Sequence, residues 1–149
     1  MGGFINNNEE LYQLRLNTVR SHVQASWPNP VEHDFGKHYT RIMKQILDHQ
    51  DQLMCKRIPL MAQAYFEDMQ QLFWSFSRKM RKGGIIYFNV ANSAYFGVEV
   101  PVDYIIGDIA EENGFTVKEI RKARDLKTSP QQGKLIGKLR ESVLVMERS

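Results

Sequence analysis

The chain has 149 residues, 42% of them hydrophobic and 25% charged, a balance that gives one domain with a real core and excludes a disordered segment. Its single cysteine, Cys55, excludes an internal disulfide framework and fits a reducing cytoplasm. The apolar runs are too short to span a membrane, and MGGFINNNEE lacks the basic and apolar regions of a signal peptide.

One Cys and four scattered His give no metal-ligand spacing. Charge is unevenly spread. Residues 1–77 carry 7 Lys/Arg against 8 Asp/Glu, and residues 78–149 carry 13 against 9. A basic second half suits a polyanionic partner, or is simply a solvated face.

Asn6-Asn7-Asn8 precedes Glu9-Glu10, the order of an N-cap and an acidic first turn. Leu11, Leu14, Thr18 and the pair His22/Val23 then recur at helical spacing, and Trp27-Pro28-Asn29-Pro30 ends that helix. A second helix is expected from about His38 to Arg57, with Tyr39, Ile42, Met43, Ile46, Leu47, Leu53 and Met54 on one stripe. Pro59 suits the first turn of a third. There Met61, Tyr65, Met69, Leu72, Phe76 and Met80, widened by Ala64 and Phe73, form the strongest periodic signal in the chain. They read as a core-facing stripe rather than a ligand box.

Lys82-Gly83-Gly84 stops the third helix. Ile85-Ile86-Tyr87-Phe88-Asn89-Val90 reads as a strand buried on both faces, followed by a loop from Ala91 to Gly97. Pro101 opens a further helix that buries Ile105, Ile106, Ile109 and Ala110 and closes at Asn113-Gly114. A half-wet strand is expected over Phe115–Arg124, with a bulge near Glu119-Ile120. A polar segment from Leu126 to Leu139 leads to a last strand, Glu141–Glu147. Without a crossover helix between them, the last two strands are expected to form an antiparallel hairpin. Two parts are expected, a helical segment at 1–58 and a second segment at 59–149, together one compact domain.

Several blocks then occur in a fixed order: Tyr65-Phe66-Glu67-Asp68-Met69; Arg78-Lys79-Met80-Arg81-Lys82-Gly83-Gly84; Asn92-Ser93-x-Tyr95-x-Gly97-Val98-x-Val100-Pro101-x-Asp103 with Ile109-Ala110-Glu111 and Gly114-Phe115; Ala123-Arg124-x-Leu126-Lys127-Thr128-Ser129-x-Gln131-Gln132; and Leu139-Arg140-Glu141-Ser142. They resemble the C-terminal part of S-adenosylmethionine-dependent DNA methyltransferases that modify adenine N6 or cytosine N4. The resemblance implies an α/β fold, a partial Rossmann-like methyltransferase sheet preceded by three helices. Its strands would be one parallel strand plus an antiparallel terminal hairpin, with 141–147 placed between 85–90 and 115–123. It implies S-adenosylmethionine as cofactor of the complete enzyme. The glycine-rich turn that would hold that cofactor after a strand has no counterpart here, so this chain alone is not expected to bind it.

The resemblance also implies a role for the chain: completing the sheet and supplying substrate-side loops to an amino-methyltransferase of which it is only a segment. Asn92, Ser93 and Tyr95, just past a strand end, are candidate substrate contacts, and so are Lys127, Thr128, Ser129, Gln131 and Gln132. An exposed Tyr95 or Phe96, freed by the small Gly97, would stack on an extruded base, or else is buried against a helix. Lys118, Arg121, Lys122 and Arg124 either track a nucleic-acid backbone or keep a sheet edge soluble.

Ser26-Trp27-Pro28-Asn29 stands where the family has a polar residue, two prolines and an aromatic, upstream of Asp34-Phe35-x-x-x-Tyr39, which resembles the next block. Trp27 replaces the first proline and Asn29 the aromatic, so it is a degenerate motif or a proline-rich turn, and no residue is assigned as catalytic. His33, Asp34 and His38 read as capping and solvation. The partners expected are DNA or RNA, with the missing N-terminal half or a second copy covering the exposed sheet edge, and no membrane. An RNA methyltransferase fragment and a non-catalytic nucleic-acid-binding remnant are the alternatives.

Overall fold

A computed structural model describes residues 7–21, 26–53, 55–129, 132 and 136–149. The order is α1 (Asn8–Leu16), α2 (Lys37–Asp48), a 3-10 turn (Gln50–Gln52), α3 (Ile58–Lys79), β1 (Ile85–Ala91), β2 (Ser93–Tyr95), β3 (Val98–Val100), α4 (Val102–Glu112), β4 (Phe115–Lys127) and β5 (Lys138–Arg148).

Asn7 caps α1, its side chain accepting from the backbone N–H of Glu10 at 2.8 Å. That helix ends at Leu16 and buries no residue, so the spacing that extended it toward Trp27 does not reflect a core face. His22 and Val23 lie outside the described residues. α2 stops at Asp48, short of Arg57, and a 3-10 turn follows it. Met54 lies outside the described residues. Pro59 sits in the first turn of α3, as its fixed φ favours.

The stripe of α3 faces the core, with Met61, Ala64, Met69 and Phe73 buried and Tyr65, Leu72, Phe76 and Met80 half-buried. Phe73 is the hub. Its ring centroid lies 5.3 Å from Phe88 of β1 and 5.8 Å from Phe115 of β4. Full burial of such a ring contributes about 1.5–3 kcal/mol. α4 adds Ile105, Ile106 and Ile109, and one cluster joins these to Phe35, Tyr39, Ile42 and Ile46 of the earlier segment.

The sheet corrects the expected α/β, Rossmann-like architecture. Its order is β1-β5-β4, and β5 pairs antiparallel with both neighbours, so among the described residues no hydrogen-bonded pair of strands is parallel. A parallel sheet needs a like-directed neighbour beside β1. β4 does run in the direction of β1, but β5 returns between them and takes both ladders. The loop expected after β1 is instead a two-stranded antiparallel hairpin, β2–β3. β4 and β5 also reach into the segment expected to be a loop, pairing as far as Lys127 with Lys138.

β1 is not buried on both faces. Ile86, Phe88 and Val90 face the helices, whereas Ile85, Tyr87, Asn89 and Ala91 are exposed. The register of β4 slips twice, between Val117 and Glu119 and between Lys122 and Arg124, so Lys118 and Ala123 are the extra residues.

Candidate nucleic-acid interface

The described site residues read from the sequence fall at one end of the sheet, from the β1 end into the β2–β3 hairpin and from the end of β4 into the connection to β5. Asn92 follows β1 and is 4% exposed. Its backbone N–H donates to the Arg140 carbonyl at 2.9 Å, and its Nδ2 donates to Glu99 at 3.2 Å. Its Oδ1 accepts from the backbone N–H of Asp103 at 3.2 Å. This satisfies a donor in the first turn of α4 that the helix itself leaves open. Asn92 is therefore held inside the fold, pinning β1 to α4.

Asp103 is the centre of that network, with no solvent exposure. It accepts from Ser142 Oγ at 2.9 Å and from Arg140 Nε at 2.6 Å. Its other oxygen accepts from the backbone N–H of Tyr104 at 2.9 Å. Arg140 lies over the Tyr104 ring at 4.7 Å, and His38 stacks on the same ring at 5.3 Å. The hydrogen bond to Asp103 pushes the Arg140 guanidinium further toward its charged form, against the opposing effect of burial. The charge of Asp103 is thus paired and hydrogen-bonded, as burial requires. Asp103, Arg140 and Ser142 all lie in the family-like blocks, but nothing in the spacing of these residues marked them as one cluster.

Ser93 and Tyr95 line a cavity of about 210 Å³ together with Tyr65, Phe66 and Met61 of α3 and Val102 of α4. A cavity of roughly 150 Å³ holds benzene, so this one accommodates a single planar ring. Its wall mixes aromatic and aliphatic side chains, with tyrosine and serine hydroxyls as the polar groups. Burial pushes the Tyr65 and Tyr95 hydroxyls up from the usual tyrosine range. Both therefore stay neutral and able to donate at physiological pH.

Between Tyr95 and Val98 the chain turns on two residues, Phe96 at φ 49° and Gly97 at φ 74°. Positive φ at both central positions is the type I′ geometry that fits the twist of a hairpin. Glycine adopts it freely, while a phenylalanine held there carries strain of order 1–3 kcal/mol. Phe96 is 46% exposed. Its ring lies 6.2 Å from His49.

The second loop meets the first at this turn. The backbone N–H of Gly97 donates to the Gln132 carbonyl at 3.3 Å. Thr128 and Ser129 spend their polar groups locally: the Thr128 hydroxyl donates to the Ile136 carbonyl at 2.8 Å, and the Ser129 N–H donates to Gln132 Oε1 at 2.8 Å. Lys127 is exposed. Gln131 lies outside the described residues.

Four cations of β4 are exposed but paired. Lys118 meets Glu147 at 3.0 Å, Arg121 meets Glu119 at 2.9 Å and Lys122 meets Asp125 at 2.6 Å, while Arg124 pairs with Glu141. Exposed pairs of this kind are worth about 0–1 kcal/mol, so a phosphate competes readily for each cation. Among the described residues no group of His, Cys, Asp and Glu has the arrangement of a metal site, and no helix is long and apolar enough to cross a membrane.

Ser26-Trp27-Pro28-Asn29 is fastened toward α3. Arg20 donates to the Pro28 carbonyl at 2.9 Å and pairs with Asp68 at 2.6 Å and with Glu67. Glu67 Oε1 also accepts from the N–H groups of Val31 and Glu32 at 2.8 and 2.9 Å. The Arg57 guanidinium lies 5.0 Å from the Trp27 ring.

Comparison with known proteins gives a partial match in sequence. Over 63 residues, 42% of the chain, it is 35% identical to the Type II methyltransferase M.AvaI of Nostoc sp. strain PCC 7120. M.AvaI of Anabaena variabilis matches over the same length with the same identity. The chain resembles DNA methyltransferases. The matched stretch spans 13% of the length of these relatives. No protein-family model matches the chain, and no solved structure does.

Proposed function

We propose that the chain is the C-terminal, substrate-side segment of a cytoplasmic DNA amino-methyltransferase. It contributes loops that engage the target strand and does not transfer methyl groups alone. The observation that carries this reading is the Gly97–Gln132 hydrogen bond, which joins the two loops that the family-like blocks mark as substrate-facing. Around that joint stand an exposed aromatic, Phe96, a ring-sized cavity under Ser93 and Tyr95, and the exposed cation of Lys127. These are the parts needed to hold a backbone and stack on an unpaired base.

The complete enzyme would take its methyl group from S-adenosylmethionine. The residues present do not fit that cofactor. Among the described residues no glycine-rich turn follows a strand, and Gly83-Gly84 precedes β1 rather than following it. No step through the cofactor is therefore assigned to this chain.

The test is residue-resolved. Amide shifts of labelled chain are followed on titration with a short DNA containing an unpaired base. Perturbations should concentrate at Ser93, Phe96, Gly97, Lys127 and Thr128. Shifts confined to α1 and α2, or none at low salt, would exclude these loops as the contact surface.

A further inference from the structure

A second hollow lies away from the two candidate loops, between α2, the 3-10 turn and the start of α3. Its volume is about 650 Å³, within the roughly 300–1,000 Å³ typical of small-molecule sites. One side is a stripe of α2, where Tyr39, Met43 and Leu47 recur at helical spacing with Lys44 and Asp48 beside them. Leu60 of α3 and Lys56, just before that helix, stand on the other side.

Tyr39 is 4% exposed, and its ring packs edge-on against Phe35 at 4.8 Å and Phe66 at 5.6 Å. A phenylalanine would make those contacts equally well. A buried tyrosine hydroxyl usually finds a hydrogen-bond partner. Among the described residues this one has none. No fully buried side-chain oxygen or nitrogen among them is left unsatisfied, so the hydroxyl is open to solvent, and the hollow that Tyr39 lines gives it that opening. Burial pushes its pKa up to about 12, so it is a neutral donor at physiological pH.

The charged groups are free as well. Among the described residues Lys44, Asp48 and Lys56 form no ion pair, although Lys44 and Asp48 are one turn apart on the same helix. An apolar segment packed here would bury these charges unpaired, which burial penalises. A nucleotide meets each group with a partner. Lysines hold phosphate as point charges, and a carboxylate accepts from ribose hydroxyls. Met43, Leu47 and Leu60 give the base an apolar floor.

We propose that this hollow binds a phosphorylated nucleoside, taken as a free mononucleotide or as the phosphorylated end of a strand. Lys44 and Lys56 take the phosphate, Asp48 the ribose hydroxyls, and Tyr39 with the apolar floor the base. The site is separate from the cavity under Ser93 and Tyr95 and does not rest on the nucleic-acid reading of the loops.

The experiment follows amide shifts of the labelled full chain during titration with adenosine 5′-monophosphate. Saturable shifts should appear at Thr40, Lys44, Leu47 and Gln63. Adenosine and inorganic phosphate should each bind at least about tenfold more weakly, because each lacks part of the contacts. Lys44→Ala and Lys56→Ala should each weaken binding roughly tenfold. Tyr39→Phe should keep its stability, since the hydroxyl has no partner to lose, and bind several-fold more weakly. A 5′-phosphorylated oligonucleotide separates the two sources, and both results support the site: tighter binding than the mononucleotide identifies a strand end, weaker binding a free nucleotide. Absence of saturable shifts in the hollow overturns the proposal. So does binding that is unchanged in all three variants, or matched by adenosine or phosphate alone. Shifts at Ser93 and Phe96 on adding DNA, with none in the hollow for any of these probes, would reject this site and leave the loop reading standing.

Discussion

Arg140 Nε donates to Asp103 Oδ2 at 2.6 Å, and it does so from a side chain 31% exposed to one with no exposure at all. The pair ties the last strand to the first turn of α4, and through Asn92 it also ties the end of β1. The base of both candidate loops hangs on this contact.

Removing one partner should therefore be costly. Arg140→Met leaves the Asp103 carboxylate buried with only Ser142 Oγ and a backbone N–H. A broken buried pair costs about 3–5 kcal/mol, and the partial exposure of Arg140 puts this case at the lower end, about 3 kcal/mol. Urea denaturation checks it. A loss under about 1 kcal/mol would mean the pair is screened like a surface one.

Gly36 joins α2 to α4. It has φ 89°, and a Cβ there would lie 2.7 Å from Asp108. Asp108 in turn accepts from the backbone N–H of His38 at 3.3 Å and meets its Nδ1 at 2.7 Å. Gly36→Ala should destabilise by about 1–3 kcal/mol through backbone conformation and overpacking together. Thermal denaturation reads it, and an unchanged midpoint would show that the joint yields freely.

Phe96 should trade stability for contact. Phe96→Asn relieves the left-handed strain, because asparagine favours the first position of a type I′ turn. The variant should be more stable by about 1 kcal/mol and bind DNA with an unpaired base more weakly. Paired melting and fluorescence-anisotropy measurements decide it. Undiminished binding would remove Phe96 from the interface.

Glu67 should shape the acid limb of stability. Burial alone would raise its carboxyl, but the Glu32 N–H, Arg20 and the Val31 N–H outweigh burial and hold it below the usual 4.5. A depressed native pKa contributes stability above the unfolded value, and that contribution is lost as pH falls from about 4.5 through the native one. Glu67→Gln should lower stability at neutral pH and flatten its decline in that window. Parallel melting curves for the two proteins at neutral and acid pH check this. Curves equally steep would show that other carboxylates set the acid limb.

Much of this was legible in the sequence, for physical reasons. The stripe on α3 is long enough for its 3.6-residue period to show, and Phe73 and Met69 are buried as it requires. Glycine and proline marked the ends of α3 and α4. The bulge expected near Glu119 is present, because the charges there break alternation. The architecture was misread at β1. An apolar run such as Ile85–Val90 is the same whether one face or both are covered, and local pattern does not say which layers are present. The polar run from Leu126 hid strand because the residues paired there, Leu126 with Leu139 and Lys127 with Lys138, are too few to show an alternating pattern. At the site, Asn92 was marked by its place after a strand, yet its side chain serves α4. The cluster of Asp103, Arg140 and Ser142 joins residues far apart in the chain, which spacing alone does not reveal.

As proposed, this segment contacts the target nucleic acid but does not hold the methyl donor. Isothermal titration of the purified chain with a short DNA duplex at two salt concentrations, and separately with S-adenosylmethionine, tests it most directly. DNA binding should give heat and weaken steeply with salt, and S-adenosylmethionine should give none. No DNA binding at low salt would contradict it.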